Sequence, residues 1–282
     1  MFNRYFAVLL LIPLALAITA LLMPLASNAS GEKILWSADM ETGDMSQWYA
    51  PARQAGNNNG GGVFNSGIAD AVASTDYAHS GKWSAKLTIT APPPGARSSG
   101  ARLFRWKESH DPAYFSSGLY YSAWLYFPHQ YRLTGDPRTG RFWNLVQFKS
   151  KHGSGSDPVL FLDVQNRPNG GMYSILGWWN NLQMEGPRPG QFGGRRFEQR
   201  NADLPVGRWV HIETYLKQAD DFSGHITVWQ DGEQIFDEDN IRTKYPNSDD
   251  GWSVNLYSDG LDPNPSVIYV DDAKIATYRV GP

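Results

Sequence analysis

Apolar and polar positions trade places every second residue in a series of short runs along this chain. The runs are Lys82–Ile89, Ala101–Trp106, Gly118–Phe127, Phe142–Lys149, Val159–Val164, Met172–Trp178, Trp209–Lys217, His225–Gln230, Gln234–Phe236, Trp252–Tyr257 and Val267–Val280. A period of two puts successive side chains on opposite faces of a strand. The runs are rich in Val, Ile, Tyr, Trp and Thr, and clusters of Gly, Pro, Asn and Asp separate them. No segment keeps a helical period over three turns. The stretch Ile226–Phe236 contains its own turn, because Asp231-Gly232 supplies the positive φ angles of a tight hairpin. The pattern predicts an all-β chain folded as a two-sheet β-sandwich of the jelly-roll, concanavalin A-like type. Gly56–Gly62, Ala91–Gly100 and Arg188–Arg200 read as long loops, placed to border a groove.

The amino end breaks the alternation. Arg4 precedes an apolar run from Phe6 to Ala26, and Ser27-Asn28-Ala29 places small residues where a signal peptidase cuts. Residues 1–29 therefore read as a signal peptide and residues 30–282 as a single domain. The protein is expected in the secreted or cell-envelope space, with no stable membrane association after cleavage. The run is also long enough to serve as an uncleaved anchor.

Composition narrows the chemistry. The 282 residues include no cysteine, so disulfides, thiolate metal sites and cysteine nucleophiles are excluded. Lys and Arg number 25 against 28 Asp and Glu, which argues against a nucleic-acid partner. The six histidines show no HxH or HExxH spacing, and no G-x-S-x-G elbow or phosphate-binding loop is present. Asp163 and Glu213 are possible carboxylates for a glycoside hydrolase, but the closely spaced acidic strand signature is absent.

Strand alternation orders the remaining candidates. In Phe142–Lys149, Trp143, Leu145, Gln147 and Lys149 are expected on one face, suited to a groove floor. In Trp252–Gly260, Asn255 and Tyr257 share a face. Arg102 and Arg105 point to opposite faces of their strand, so one of them is free to face the groove. His152 follows Lys149 closely enough to line the same groove. Trp178, Trp179 and Tyr173 are candidates for stacking on sugar rings, and Arg188, Arg195, Arg196 and Arg200 for a basic rim.

Several of these segments resemble a known family. Asp39–Trp48 is similar to the opening of extracellular carbohydrate-active jelly rolls. Leu145-Val146-Gln147-Phe148-Lys149 resembles the central Gln-x-His strand of heparin lyase I-like and alginate lyase-like polysaccharide lyases. Trp252–Gly260 resembles the strand that carries their catalytic tyrosine. Pro205–Ile212, Val228–Gly232 and Ile268–Ile275 resemble later strands. The resemblance implies β-elimination on an anionic, uronate-bearing polysaccharide. Gln147 with Arg102 or Arg105 would neutralise the substrate carboxylate, and Tyr257 would transfer protons. Arg105, Asn255, Trp143, His152, Trp178 and Trp179 would contact the sugar. Lys149 stands where the family has histidine, and Phe104 where it often has an acid, which leaves His152 or His110 as substitutes for the base. No cofactor is required for the chemistry. A structural Ca2+ held by Glu41, Asp44, Asp271 and Asp272 is expected where the first and last strands meet. A monomer is expected. A non-catalytic carbohydrate-binding module and, third, a glycoside hydrolase are the alternatives.

Overall fold

The computed structural model describes residues 31–49, 60–106, 118–137, 141–152, 155–178, 195–248 and 250–282. The expected signal peptide lies outside the described residues. Two large antiparallel sheets face each other. The first has the order β14 (Glu233–Ile241), β13 (Gly224–Gln230), β12 (Trp209–Lys217), β6 (Leu119–Tyr126), β17 (Ser266–Ala276), β4 (Ser84–Ile89), β3 (Ala69–Ser74), with β1 (Ile34–Ala38) also paired to β17. The second has the order β11 (Arg195–Glu198), β10 (Met172–Trp178), β9 (Gly155–Asn166), β8 (Trp143–His152), β15 (Asp250–Ser258), β5 (Ser99–Trp106), β2 (Gly61–Ser66). A small pair joins β7 (Arg132–Leu133) to β16 (Leu261–Asp262), and the one described helix is a single turn, α1 (Ser46–Tyr49). This is the expected two-sheet β-sandwich of jelly-roll type.

All eleven alternating runs are strands. The Asp231-Gly232 turn takes φ of 50° and 82°, the left-handed pair that matches the twist of a hairpin. Six further strands carry weak patterns. β2 opens on Gly61-Gly62, so the glycine-rich stretch expected as loop passes into strand there. β3 is built of alanine, aspartate, valine and serine. β11 lies inside the expected arginine-rich loop and forms a charged sheet edge, a composition that discourages edge-to-edge pairing.

The core fills the space between the sheets with Leu87, Leu103, Leu125, Val146, Val254 and Ile268, all at most 3% exposed. Trp36, Trp48 and Trp252 form an aromatic knot at one end, with ring centroids 4.8–6.3 Å apart. Trp143 is fully buried against Phe127 and Tyr131. Trp178 is 2% exposed and donates its Nε1–H to the Arg242 carbonyl. Arg105 is 2% exposed, with its guanidinium bonded to the Trp48 carbonyl and set over the Trp36 ring. These three residues were expected to contact sugar, but each turns inward and offers its polar or aromatic surface to the core instead.

The metal expectation also changes. Glu41 Oε1 accepts the backbone N–H groups of Lys82 and Trp83. Asp44 Oδ1 accepts from Thr42 and Ser46. Asp271 caps His79 and Ser80, and Asp272 pairs with the His79 ring. Glu41, Asp44 and Asp271 spend oxygens on backbone N–H groups and Asp272 on the His79 ring, and among the described residues no three His, Asp or Glu side chains are grouped to hold a metal ion. The acids do not fit the expected calcium cage.

Replacing Trp143 with alanine is expected to cost about 3–5 kcal/mol of stability, as for other large core truncations. Urea unfolding reads that loss. Trp143→Phe should retain most of the stability and leave substrate affinity unchanged, which a groove tryptophan would not.

Candidate active site

The outer face of the seven-stranded sheet carries two hollows side by side. One is lined by Arg97, Ser98, Asn144, Gln147, Phe161, Asp163, Arg196 and Tyr257. The other is lined by Phe64, Arg102, Phe104, Trp106, Lys149 and Ser253. Arg102 and Tyr257 join them, with the guanidinium carbon 3.8 Å from the phenol ring centroid.

A break in β8 makes this arrangement. The strand changes register against both neighbours between Asn144 and Val146: β9 pairs Asp163 with Asn144 and Leu162 with Val146, and β15 is irregular at the same level. The extra residue reverses the facing of what precedes it. Asn144, Gln147 and Lys149 therefore face the groove, while Trp143, Leu145, Val146 and Phe148 are buried. On β15, whose pairing with β5 is regular, Ser253 and Tyr257 line the two hollows four residues apart.

Arg102 is held between two rings. Its guanidinium lies 5.2 Å from the Phe64 ring and donates to Ser66 Oγ at 3.1 Å. The Tyr257 hydroxyl receives a hydrogen bond from Ser98 Oγ at 3.3 Å, and its ring meets Phe142 edge-on. Tyr257 also lies across a glycine: a methyl group at Gly100 would stand 2.6 Å from Tyr257 Cδ2. Gly251 makes the same close approach to Trp106.

Burial sets the electrostatics. It lowers the Lys149 pKa, and the Arg102 charge lowers it further while Asp157 opposes the shift. Burial raises the Asp163 carboxyl to about 7, against the opposing hydrogen bond from Asn144 and the charge of Arg196. Asn255 is fully buried and donates to Asn144 Oδ1 at 2.7 Å, and Asn144 donates to Asp163 Oδ1 at 3.0 Å. The oxygens Gln147 Oε1 and Asn255 Oδ1 are buried without a hydrogen-bond partner among the described residues.

The structure thus brings Gln147, Lys149, Tyr257 and Arg102 to one face. Asn255 supports Asn144 from below instead of lining the hollow. Tyr173 carries the Arg167 guanidinium 4.0 Å from its ring centroid. Arg196 lines the groove as expected of a basic rim. Trp179, His110, Arg188 and the side chains of His152 and Arg195 lie outside the described residues. His211 is buried in the other sheet, 5.0 Å from the Trp124 ring, and burial lowers it to about 4. Asn144 and Phe161 were not anticipated in the groove, and Asp163 was weighed only as a carboxylate for the glycoside hydrolase alternative. For Asp163 a signal was present, a lone acid inside the apolar run Val159–Val164.

The family profile described as "Polysaccharide lyase" matches residues 40–274. The chain belongs to the polysaccharide lyase family. Among solved structures, the lyase is similar to an endo-β-1,4-glucuronan lyase from the fungus Trichoderma reesei, with a TM-score of 0.57 and 15% identity over 77% of this chain and 90% of that one. It is also similar to a marine alginate lyase from Aplysia kurodai, with a TM-score of 0.50 and 12% identity over 86% and 98%. At such identities the likeness is one of fold. A search of curated protein sequences finds no match.

Arg102→Met removes a charge beside Lys149 in this lyase. The lysine should then titrate at higher pH than in the unaltered protein, closer to an ordinary lysine, as read by NMR of its side-chain resonances. An unchanged titration would show that the Arg102 charge does not reach it.

Proposed function

We propose that this polysaccharide lyase cleaves a polyuronate by β-elimination in the groove of the seven-stranded sheet. The observation that carries the reading is the convergence of Tyr257, Arg102, Gln147 and Lys149 on one face, with the guanidinium against the phenol ring. The glucuronan and alginate named for the two structural neighbours are both uronate polymers, which supports the same substrate class.

The reaction breaks the C5–H and C4–O4 bonds and forms a C4–C5 double bond. A base takes the C5 proton, and the departing O4 receives one. Negative charge builds on the C6 carboxylate as C5 is deprotonated, and preorganised donors and cations oppose it most effectively in a desolvated site. Arg102 and Gln147 fill that role. Lys149, depressed by burial and by Arg102, is a stronger candidate for proton transfer than an exposed lysine. Tyr257 exchanges the other proton, with Ser98 fixing its hydroxyl. No water nucleophile takes part, so a carboxylate pair is not called for.

The groove also suits an anionic polymer despite the slightly acidic chain, since Arg97, Arg102, Lys149 and Arg196 are gathered there. We further propose export directed by residues 1–29, and action as a monomer.

Incubation with glucuronan, alginate and related polyuronates should yield unsaturated uronate, detected by its ultraviolet absorbance. Tyr257→Phe should lower kcat roughly 10²–10⁴-fold, the scale of a lost acid–base group, with little change in KM. Reducing ends without unsaturation, or a fully active Tyr257→Phe enzyme, would overturn the reading.

A further inference from the structure

Among the described residues one carboxyl group lines the hollows, and the mechanism leaves it unused. Asp163 is 4% exposed on β9, lines the hollow that holds Gln147 and Tyr257, and accepts a hydrogen bond from Asn144. A carboxylate at that place would face the carboxylate of the substrate, and two such groups side by side oppose each other. Burial resolves the conflict, because it disfavours the charged carboxylate. Asn255 donates to Asn144, and Asn144 donates to Asp163 Oδ1, which by itself favours ionisation but engages only one carboxyl oxygen and leaves the second to carry a proton.

We propose that Asp163 works as a neutral carboxylic acid: a positioning residue that orients the Asn144 amide and keeps the uronate subsite free of negative charge, so that substrate binding weakens when it ionises. This rests on the polyuronate reading above. The surroundings favour the neutral form. Asn144 and Gln147 face it from β8 and carry no charge, and Ile175 is its register partner on β10. The charges that share this face are Arg196 and Glu198 from β11, Arg97 before β5 and, further along, Lys149 and Arg102. The hydrogen bond from Asn144 and the charge of Arg196 oppose the neutral form, and burial outweighs both, setting the transition at about pH 7. The sign follows: below about 7 the acid is neutral and binding is strong, and above it the new charge repels substrate.

The test measures KM and kcat for the polyuronate that the enzyme degrades, on both sides of pH 7. Wild-type KM should rise about tenfold on ionisation, the effect of a like charge worth about one pK unit. Asp163→Asn keeps the acceptor for Asn144 and cannot ionise, so its KM should stay flat while the pH profile of kcat is unchanged. Asp163→Leu removes the acceptor and should raise KM at every pH.

A measurement on the unaltered enzyme guards against poorly folded variants. Calorimetry in buffers of different ionisation enthalpy should show net proton uptake when an oligouronate binds near pH 7, because binding and protonation favour each other. Turnover with a flat wild-type KM, a KM rise retained in Asp163→Asn, or binding without proton uptake would each overturn this inference and leave the lyase reading intact. No turnover on any polyuronate would overturn both.

Discussion

A regular strand offers only alternate side chains to a surface, and the groove depends on one strand that breaks this rule. β8 slips its register between Asn144 and Val146, so Asn144, Gln147 and Lys149 all reach the outer face although their spacing is three and then two. The same slip sends Trp143 inward to pack on Phe127 and Tyr131. Without it, an aromatic ring would occupy the place of the Asn144 amide, and the chain from Asn255 to Asp163 would have no middle link. The break sits in an interior strand, held between β9 and β15. Its position is thereby fixed from both sides.

Burial acts in opposite senses on the two ionisable groups that flank the groove. It disfavours charge on either, lowering Lys149 and raising Asp163. Both shifts favour the uncharged form, so Lys149 gives up its proton more readily than an exposed lysine and Asp163 keeps its proton longer than an exposed carboxyl. Arg102 stays charged between Phe64 and Tyr257, where ring faces and the Ser66 hydroxyl replace part of its water. A fixed cation, a lysine made less basic and a carboxyl made less acidic together suit the uronate subsite proposed for this groove.

Much of the sandwich was legible because burial on one face writes itself as alternation. The strands that escaped notice lack that imprint: β2 begins with glycines, β3 uses small side chains, and β11 is an edge where charge is welcome. Tyr257, Gln147, Lys149 and Arg102 were readable from strand context and family likeness. Trp143 was misplaced because a register slip leaves no mark in residue types. Arg105 and Trp178 were misplaced because both satisfy their polar atoms on carbonyls that no sequence pattern reveals, those of Trp48 and Arg242. The carboxylates near the chain ends drew attention as metal ligands, yet their oxygens accept backbone N–H groups, locally at Asp44 and from the distant 79–83 segment at Glu41 and Asp271.

The glycines that looked like mere spacing between strands have a second office. Gly100 and Gly251 each lie beneath an aromatic ring from a neighbouring strand, Tyr257 and Trp106. Because nothing props the rings up, they recline on the sheet and leave open space above it. The depth of the groove, and the height at which the Tyr257 hydroxyl meets a sugar, are thus governed by side chains that do not exist. A search for function that counts only chemical groups would pass over both positions. A single added methyl there would reshape the cleft while leaving every reactive atom of the site in the chain.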